Sequence, residues 1–165
     1  MLKNKRGSLQ DIGFMIGVLL AASIMILIGF LVVSRFNAEI QSNDNIPALA
    51  KANVAELESF YPGAIDNSFL LLTVGLAIVT IVLAALVRIS PIFLVLYILG
   101  LVFVIFIAGA VSNIYQTMAA NTQVVALANQ LTFIGTIMGY LPLIVGVIGS
   151  VLAIVMFKSW RETTA

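Results

Sequence analysis

Only 9% of the 165 residues are charged, against about 25% in an average soluble domain, and 62% are hydrophobic. So few charges cannot cover a water-facing surface, which excludes an ordinary soluble fold. The net charge is +1, the cations form no basic stripe, and the chain has no Cys or His. We therefore predict no specific nucleic-acid site, no metal or cofactor and no enzymatic activity, because the usual zinc ligands, thiol nucleophiles and histidine bases are missing.

Four apolar blocks are each long enough to cross a bilayer, since about 30 Å of hydrocarbon takes about 20 helical residues. The blocks cover residues 12–34, 68–87, 92–112 and 131–157. They predict an all-α fold, an integral membrane bundle of four transmembrane helices that forms a single domain over residues 1–165. Residues 35–67 and 113–130 are then outer loops.

The first block follows the cations Lys3, Lys5 and Arg6, as the apolar part of a signal peptide would. It is too long for such a segment, and no small-residue cleavage site closes it, so we interpret it as a retained anchor. Asp11 stands at the start of the block, where a carboxylate accepts hydrogen bonds from the first helical N–H groups. We expect Asp11 to be the N-cap.

A pilin-type leader is the alternative for this end of the chain. Lys5-Arg6-Gly7-Ser8, followed by Asp11 and an apolar helix, is similar to a type IV prepilin signal. That resemblance implies cleavage after Gly7. The family expects Glu at the fifth mature position and a single apolar helix, whereas this chain has Asp at the fourth and three further apolar blocks.

The first outer loop contains the only long polar segment of the chain. Asn43 to Pro47 indicate a turn and a helix start, and Tyr61-Pro62-Gly63 indicates a stop. Apolar residues between them fall on one helical face. We predict a short amphipathic surface helix, lying on the membrane or against a partner. Its acidic polar face favours a protein contact, although a simple connector would have the same pattern.

The second block has Asp66 or Asn67 as its expected cap. Arg88 to Pro91 form a tight connection to the third block, and Pro91 suits the first turn of a helix. We therefore predict that blocks two and three form an antiparallel hairpin. Residues 113–130 are uncharged but rich in Asn, Gln and Thr, which predicts a short interfacial helix or extensions of the neighbouring helices.

Small residues recur at helical spacing in the first and last blocks, where they allow helices to approach closely. The predicted packing positions are Gly13, Gly17, Gly135, Gly139, Gly146 and Gly149. They could pack within the bundle or between copies and partners. Pro142 removes a backbone hydrogen bond in the middle of the last block, so we expect a kink near residues 138–141.

The span interiors contain no ionisable residue, which argues against a proton-coupled transporter, a cation pump or an intramembrane protease. Hydroxyls in the spans can bond to their own helix backbone. These hydroxyls belong to Ser23, Thr73, Thr80, Thr132 and Thr136. A channel lined by hydroxyls and carbonyls stays open as an alternative.

Charges flanking the blocks are divided unevenly between the two sides. The side of both termini has six cations, and the other side has only Arg35 and Lys51. By the positive-inside rule we expect both termini on the cytoplasmic side, or in the interior of a particle. The expected interface anchors are Arg35, Arg88, Lys158, Trp160 and Arg161.

This layout, with Ser112-Asn113-Ile114-Tyr115 and Tyr140-Leu141-Pro142 before a last span closed by Lys158, resembles small multi-spanning virion membrane proteins of icosahedral viruses with an internal lipid membrane. The resemblance implies a viral structural protein that joins this membrane to the capsid, and it brings no catalytic residues. We expect a non-enzymatic structural protein, oligomeric or part of a larger assembly. Its partners would be the lipid bilayer and, through the outer loops, membrane or shell proteins. The alternatives are an accessory subunit of a cellular membrane complex and a small oligomeric channel or transporter.

Overall fold

The computed structural model describes residues 7–85 and 91–164, with side chains over residues 10–84 and 94–158. Within these ranges the chain is helical and has no strand. The helices are α1 (Gly7–Ser42), α2 (Ala48–Ala85), α3 (Pro91–Ala119), α4 (Val125–Ala128), α5 (Thr132–Gly139) and α6 (Leu141–Thr164). Helices α1, α2, α3 and α6 are long and apolar enough to cross a membrane. The prediction of an all-α membrane bundle with four spans is confirmed.

The four long helices pack as a ring in the order α1, α2, α6, α3. Helix α1 contacts α2 and α3, and α6 contacts the same two helices from the other side. Within the described ranges α2 and α3 make almost no direct contact, so they occupy a diagonal of the ring. The predicted hairpin of blocks two and three is therefore wrong as a packed pair. Its connection, residues 86–90, lies outside the described residues.

Helix α1 is longer than the first apolar block at both ends. Its 36 residues extend about 54 Å at about 1.5 Å per residue, well beyond about 30 Å of hydrocarbon. Because Gly7 is already helical, Asp11 lies inside the helix, and the prediction that it is the N-cap is wrong.

Helix α2 runs without interruption through Pro62. The predicted stop at Tyr61-Pro62-Gly63 is wrong, and residues 48–60 begin this long helix instead of forming a separate surface helix. Proline removes one hydrogen bond and strains the preceding turn, but packing against α1 holds the helix here. The ring of Tyr61 stacks on Phe30 with centroids 5.1 Å apart. Asp66 and Asn67 consequently lie inside α2 and do not cap it.

The last apolar block consists of two helices. Helix α5 ends at Gly139, and Tyr140 breaks the regular conformation with φ −101° and ψ 15°. Pro142 then lies in the first turn of α6, where its missing N–H has no intrahelical partner to lose. The interruption falls within residues 138–141, but it separates two helices and so exceeds a kink.

Four of the expected hydroxyl contacts are confirmed. Ser23 Oγ donates to Leu20 O at 2.9 Å, and the hydroxyls of Thr73, Thr80 and Thr136 donate to the carbonyl four residues earlier at 2.7–2.9 Å. Apolar side chains fill most of the rest of the core. The largest fully buried ones include Phe30, Phe69, Tyr115, Leu131 and Leu152.

Candidate functional site

Helices α1 and α2 continue beyond the bundle as a pair, which we call the outer hairpin (residues 31–60). Leu27 and Ile28 line a shallow cavity together with Met118 of α3 and Val124, so α1 passes the end of α3 at this height. The 14 residues that follow Ile28, up to Ser42, then extend about 21 Å further. Residues 35–67, predicted to be an outer loop, are therefore mostly helical and project from the bundle.

Polar contacts hold the two arms of the outer hairpin together. Asn37 Nδ2 donates to Glu58 Oε2. Nearer the tip, Gln41 Nε2 donates to Lys51 O at 2.8 Å, and Lys51 Nζ donates to Gln41 O at 3.0 Å. Because each contact joins α1 to α2, the hairpin is braced along its length and presents a defined surface.

An aromatic contact closes the base of the hairpin. Tyr61 Oη donates to Ile26 O at 3.3 Å while its ring stacks on Phe30. Gly29 makes this possible, since a Cβ at that position would lie 2.6 Å from Tyr61 Oη. Sequence reasoning missed Gly29, because its role depends on a tyrosine 32 positions later.

The surface of the outer hairpin mixes acidic and apolar groups. It carries six of the nine charged side chains that the structure describes, four of them carboxylates. Large apolar side chains stand exposed among them, at Phe36, Leu49, Leu57 and Phe60. Acidic and apolar side chains therefore share the surface of the outer hairpin.

Asp66 is the most unusual polar group of the bundle. It is 6% exposed, and it accepts hydrogen bonds from the backbone N–H groups of Phe133 and Ile134, both at 2.8 Å. These are the second and third residues of α5, whose own N-cap residue, Leu131, makes no side-chain bond. Asp66 therefore caps a different helix from its own, compensating the unpaired N–H groups and the positive end of the helix dipole.

A polar side chain of α3 also contacts α5. Gln116 Nε2 donates to Ser112 Oγ at 3.1 Å, and Ser112 Oγ donates to Gly139 O at 3.4 Å. Tyr115 is 2% exposed, and its hydroxyl has no hydrogen-bond partner among the described residues. The bond from Ser112 attaches the end of α5 to α3.

Three of the predicted packing glycines face α3. A Cβ at Gly149 would overlap the side chain of Leu101, and one at Gly146 would lie 3.6 Å from Ile105. Gly139 is 4.0 Å from Gln116 by the same measure. Tyr97 Oη also donates to Gly149 O at 3.0 Å, so α3 and α6 approach closely where the glycine leaves room.

The other three predicted glycines make no such contact. A Cβ at Gly13, Gly17 or Gly135 would meet nothing within 4 Å. They do not pack inside the bundle, and their packing between copies or with partners stays a prediction.

The structure describes the side chains of two of the five expected interface anchors. Arg35 is exposed on the outer hairpin, beyond the end of α3, and Lys158 is exposed near the end of α6. Arg88 lies outside the described residues, as do the side chains of Trp160 and Arg161.

No family model matches this chain, and neither a curated protein nor a solved structure is similar to it. The candidate site is therefore interpreted from the geometry of this chain alone. Among the described residues, no cluster of carboxylates could hold a metal ion.

Proposed function

We propose that this protein is a non-enzymatic structural component of a membrane, and that it joins the lipid bilayer to a protein shell through the outer hairpin. The observation that carries the proposal is the position of the hairpin. It extends about 21 Å beyond the end of α3, it is braced by side-chain contacts, and it holds most of the described charges.

The charge of the hairpin supports a partner with a basic surface. Four carboxylates against two cations give residues 31–60 a net charge of −2. A basic protein surface complements such a patch and is attracted to it over a distance. The anionic headgroups of a membrane would be repelled, so the hairpin favours a protein partner over the bilayer surface.

The orientation follows from the distribution of cations. With the basic termini on the cytoplasmic or interior side, the outer hairpin stands on the opposite face. The layout resemblance supports a virion with an internal membrane as the setting, in which the hairpin would meet the capsid and the termini would face the enclosed interior.

A photoreactive amino acid in place of Leu57 tests this proposal. Leu57 in the hairpin and Leu96 in α3 are both 56% exposed, so the same substitution at Leu96 is a matched control that faces lipid. In membranes or particles isolated in mild detergent, we expect the Leu57 variant to cross-link to one shell protein, identified by mass spectrometry. The Leu96 variant should cross-link to lipid.

The other outcomes select against the proposal. If the Leu57 variant cross-links to a subunit of a cellular membrane complex, the accessory-subunit alternative is correct and the virion setting is not. If both variants cross-link to lipid only, the hairpin does not dock a protein. Conductance of the purified protein in liposomes would instead support the channel alternative.

A further inference from the structure

One contact of the outer hairpin shows which residues share a side of it. Asn37 of α1 and Glu58 of α2 face each other, because their side chains are hydrogen-bonded. In an antiparallel pair of helices, the residue before such a contact lies on the same side of the pair in both helices, about 100° from the contact. Phe36 and Leu57 therefore lie on one side of the hairpin.

We call this the apolar side of the hairpin. It also includes Val32 and Phe60, each one turn closer to the bundle, and all four side chains are 55–69% exposed. Ala38 and Ser59 follow the same contact and so lie on the opposite side, where they are exposed but small. Because packed helices are about 8–10 Å apart, each side is a groove between α1 and α2. At this height the large apolar walls belong to the apolar side.

Lipid does not cover the apolar side. Glu58 follows Leu57 directly, and Glu56 is exposed one turn from Phe60. Carboxylates stay out of the hydrocarbon layer, so these apolar side chains lie at the height of water or headgroups. Large apolar side chains grouped at that height, with charged groups around them, mark a surface that contacts a protein.

The carboxylates beside the apolar side are available to a partner. Glu39 lies one turn from Phe36, and Glu56 lies one turn from Phe60. Neither carboxylate makes a hydrogen bond or an ion pair with another described residue. A cationic group of a partner could therefore reach them without breaking a contact within the chain.

The two cations of the hairpin do not neutralise the α2 wall of this groove. Lys51 Nζ donates to a backbone carbonyl of α1 nearer the tip. Arg35 lies two positions before Asn37, so about 200° of rotation turns it away from α2. There it can balance Glu39, but not the carboxylates of α2. The groove is therefore apolar along its walls and acidic along its α2 edge.

We propose that the apolar side binds one amphipathic, cationic helix of the shell protein. This inference rests on the proposed function and names the part of the partner that docks. The hairpin offers about 21 Å of length, which is about four turns of a helix. Apolar side chains of the docked helix pack between Phe36 and Leu57, and Lys or Arg side chains on its flank pair with Glu56.

Photo-cross-linking from the two sides of the hairpin tests the docking. A photoreactive amino acid replaces Phe36 in one variant and Ala38 in the matched control, since both residues are exposed on α1 but lie on opposite sides. In membranes or particles isolated in mild detergent, we expect the variant at position 36 to cross-link to the shell protein several-fold more than the control. The cross-linked peptide should have Lys or Arg within one helical turn of the apolar residue that is attached.

The other results separate this inference from the proposed function. Equal yields from positions 36 and 38 on the same shell protein would overturn docking on the apolar side and leave the proposed function standing. A cross-linked peptide without Lys or Arg would overturn the cationic helix. If neither variant cross-linked to a protein, both the inference and the proposed function would be wrong.

Glu56→Gln tests the charge complementarity. Added to the photoreactive variant at position 36, it should lower the yield of the cross-link several-fold, because it removes a carboxylate beside the groove. Asp44→Asn is the matched control, since it removes the same charge at the tip of the hairpin, and it should change the yield little. Equal losses from the two substitutions would contradict a cationic group bound at Glu56.

Discussion

Asp66→Ala is expected to loosen the start of α5 and to lower the free energy of unfolding by about 2–6 kcal/mol, since it leaves two N–H groups without their hydrogen bonds and each such group costs about 1–3 kcal/mol. The substitution leaves the N–H groups of Phe133 and Ile134 without an acceptor. No other side chain caps this end of α5. The loss should appear in reversible unfolding in detergent.

Hydrogen exchange gives the local measurement for the same substitution. The amides of Phe133 and Ile134 should exchange much faster in Asp66→Ala than in the native protein, whereas amides in the middle of α3 should change little. Asn67→Ala is the matched control, because the Asn67 side chain is exposed and bonds only to Gly63 O of its own helix. If Asp66→Ala left the exchange of both α5 amides unchanged, Asp66 would not be the cap.

Gly149→Val is expected to separate α3 from α6 and to cost about 1–3 kcal/mol, which is typical of extra carbon atoms forced into a packed interface. A Cβ at this position already overlaps the side chain of Leu101. Movement of α6 would also break the bond from Tyr97 Oη to Gly149 O. The melting temperature in detergent should therefore fall.

Gly75→Val controls for the intrinsic effect of valine in a membrane helix. Gly75 lies in the middle of α2 and would meet nothing within 4 Å, so this variant should melt close to the native protein. Equal losses at positions 75 and 149 would mean that backbone propensity, and not the contact with Leu101, accounts for the effect.

The span count could be predicted because it depends on the length of apolar blocks, a property of each segment alone. Continuity of α2 through Pro62 could not, since the local signals of Tyr61-Pro62-Gly63 indicate a stop. They are overridden by the stacking of Tyr61 on Phe30, a contact between residues 31 positions apart. The diagonal position of α2 and α3 likewise depends on how all four helices pack.

Less of the candidate site than of the fold could be predicted from the sequence. The prediction that Asp66 or Asn67 caps the second block was wrong, and the partners of Asp66 lie 67 and 68 positions away, where no local pattern can indicate them. The glycine spacing is similar in the first and last blocks, yet Gly149 meets Leu101 while Gly17 is open. Spacing alone does not reveal which face of a helix has a neighbour. The acidic character of residues 46–60 was visible from composition, but not their projection from the bundle.

The most direct test of the account is the position of the outer hairpin relative to the membrane. Single cysteines at Asn53 in the hairpin, Phe106 in α3 and Lys158 near the end of α6 can be treated with a membrane-impermeant maleimide in sealed vesicles. We predict that Asn53→Cys and Lys158→Cys react from opposite sides and that Phe106→Cys does not react from either. Reaction of Asn53→Cys and Lys158→Cys from the same side, or protection of Asn53→Cys from both, would contradict the projecting hairpin.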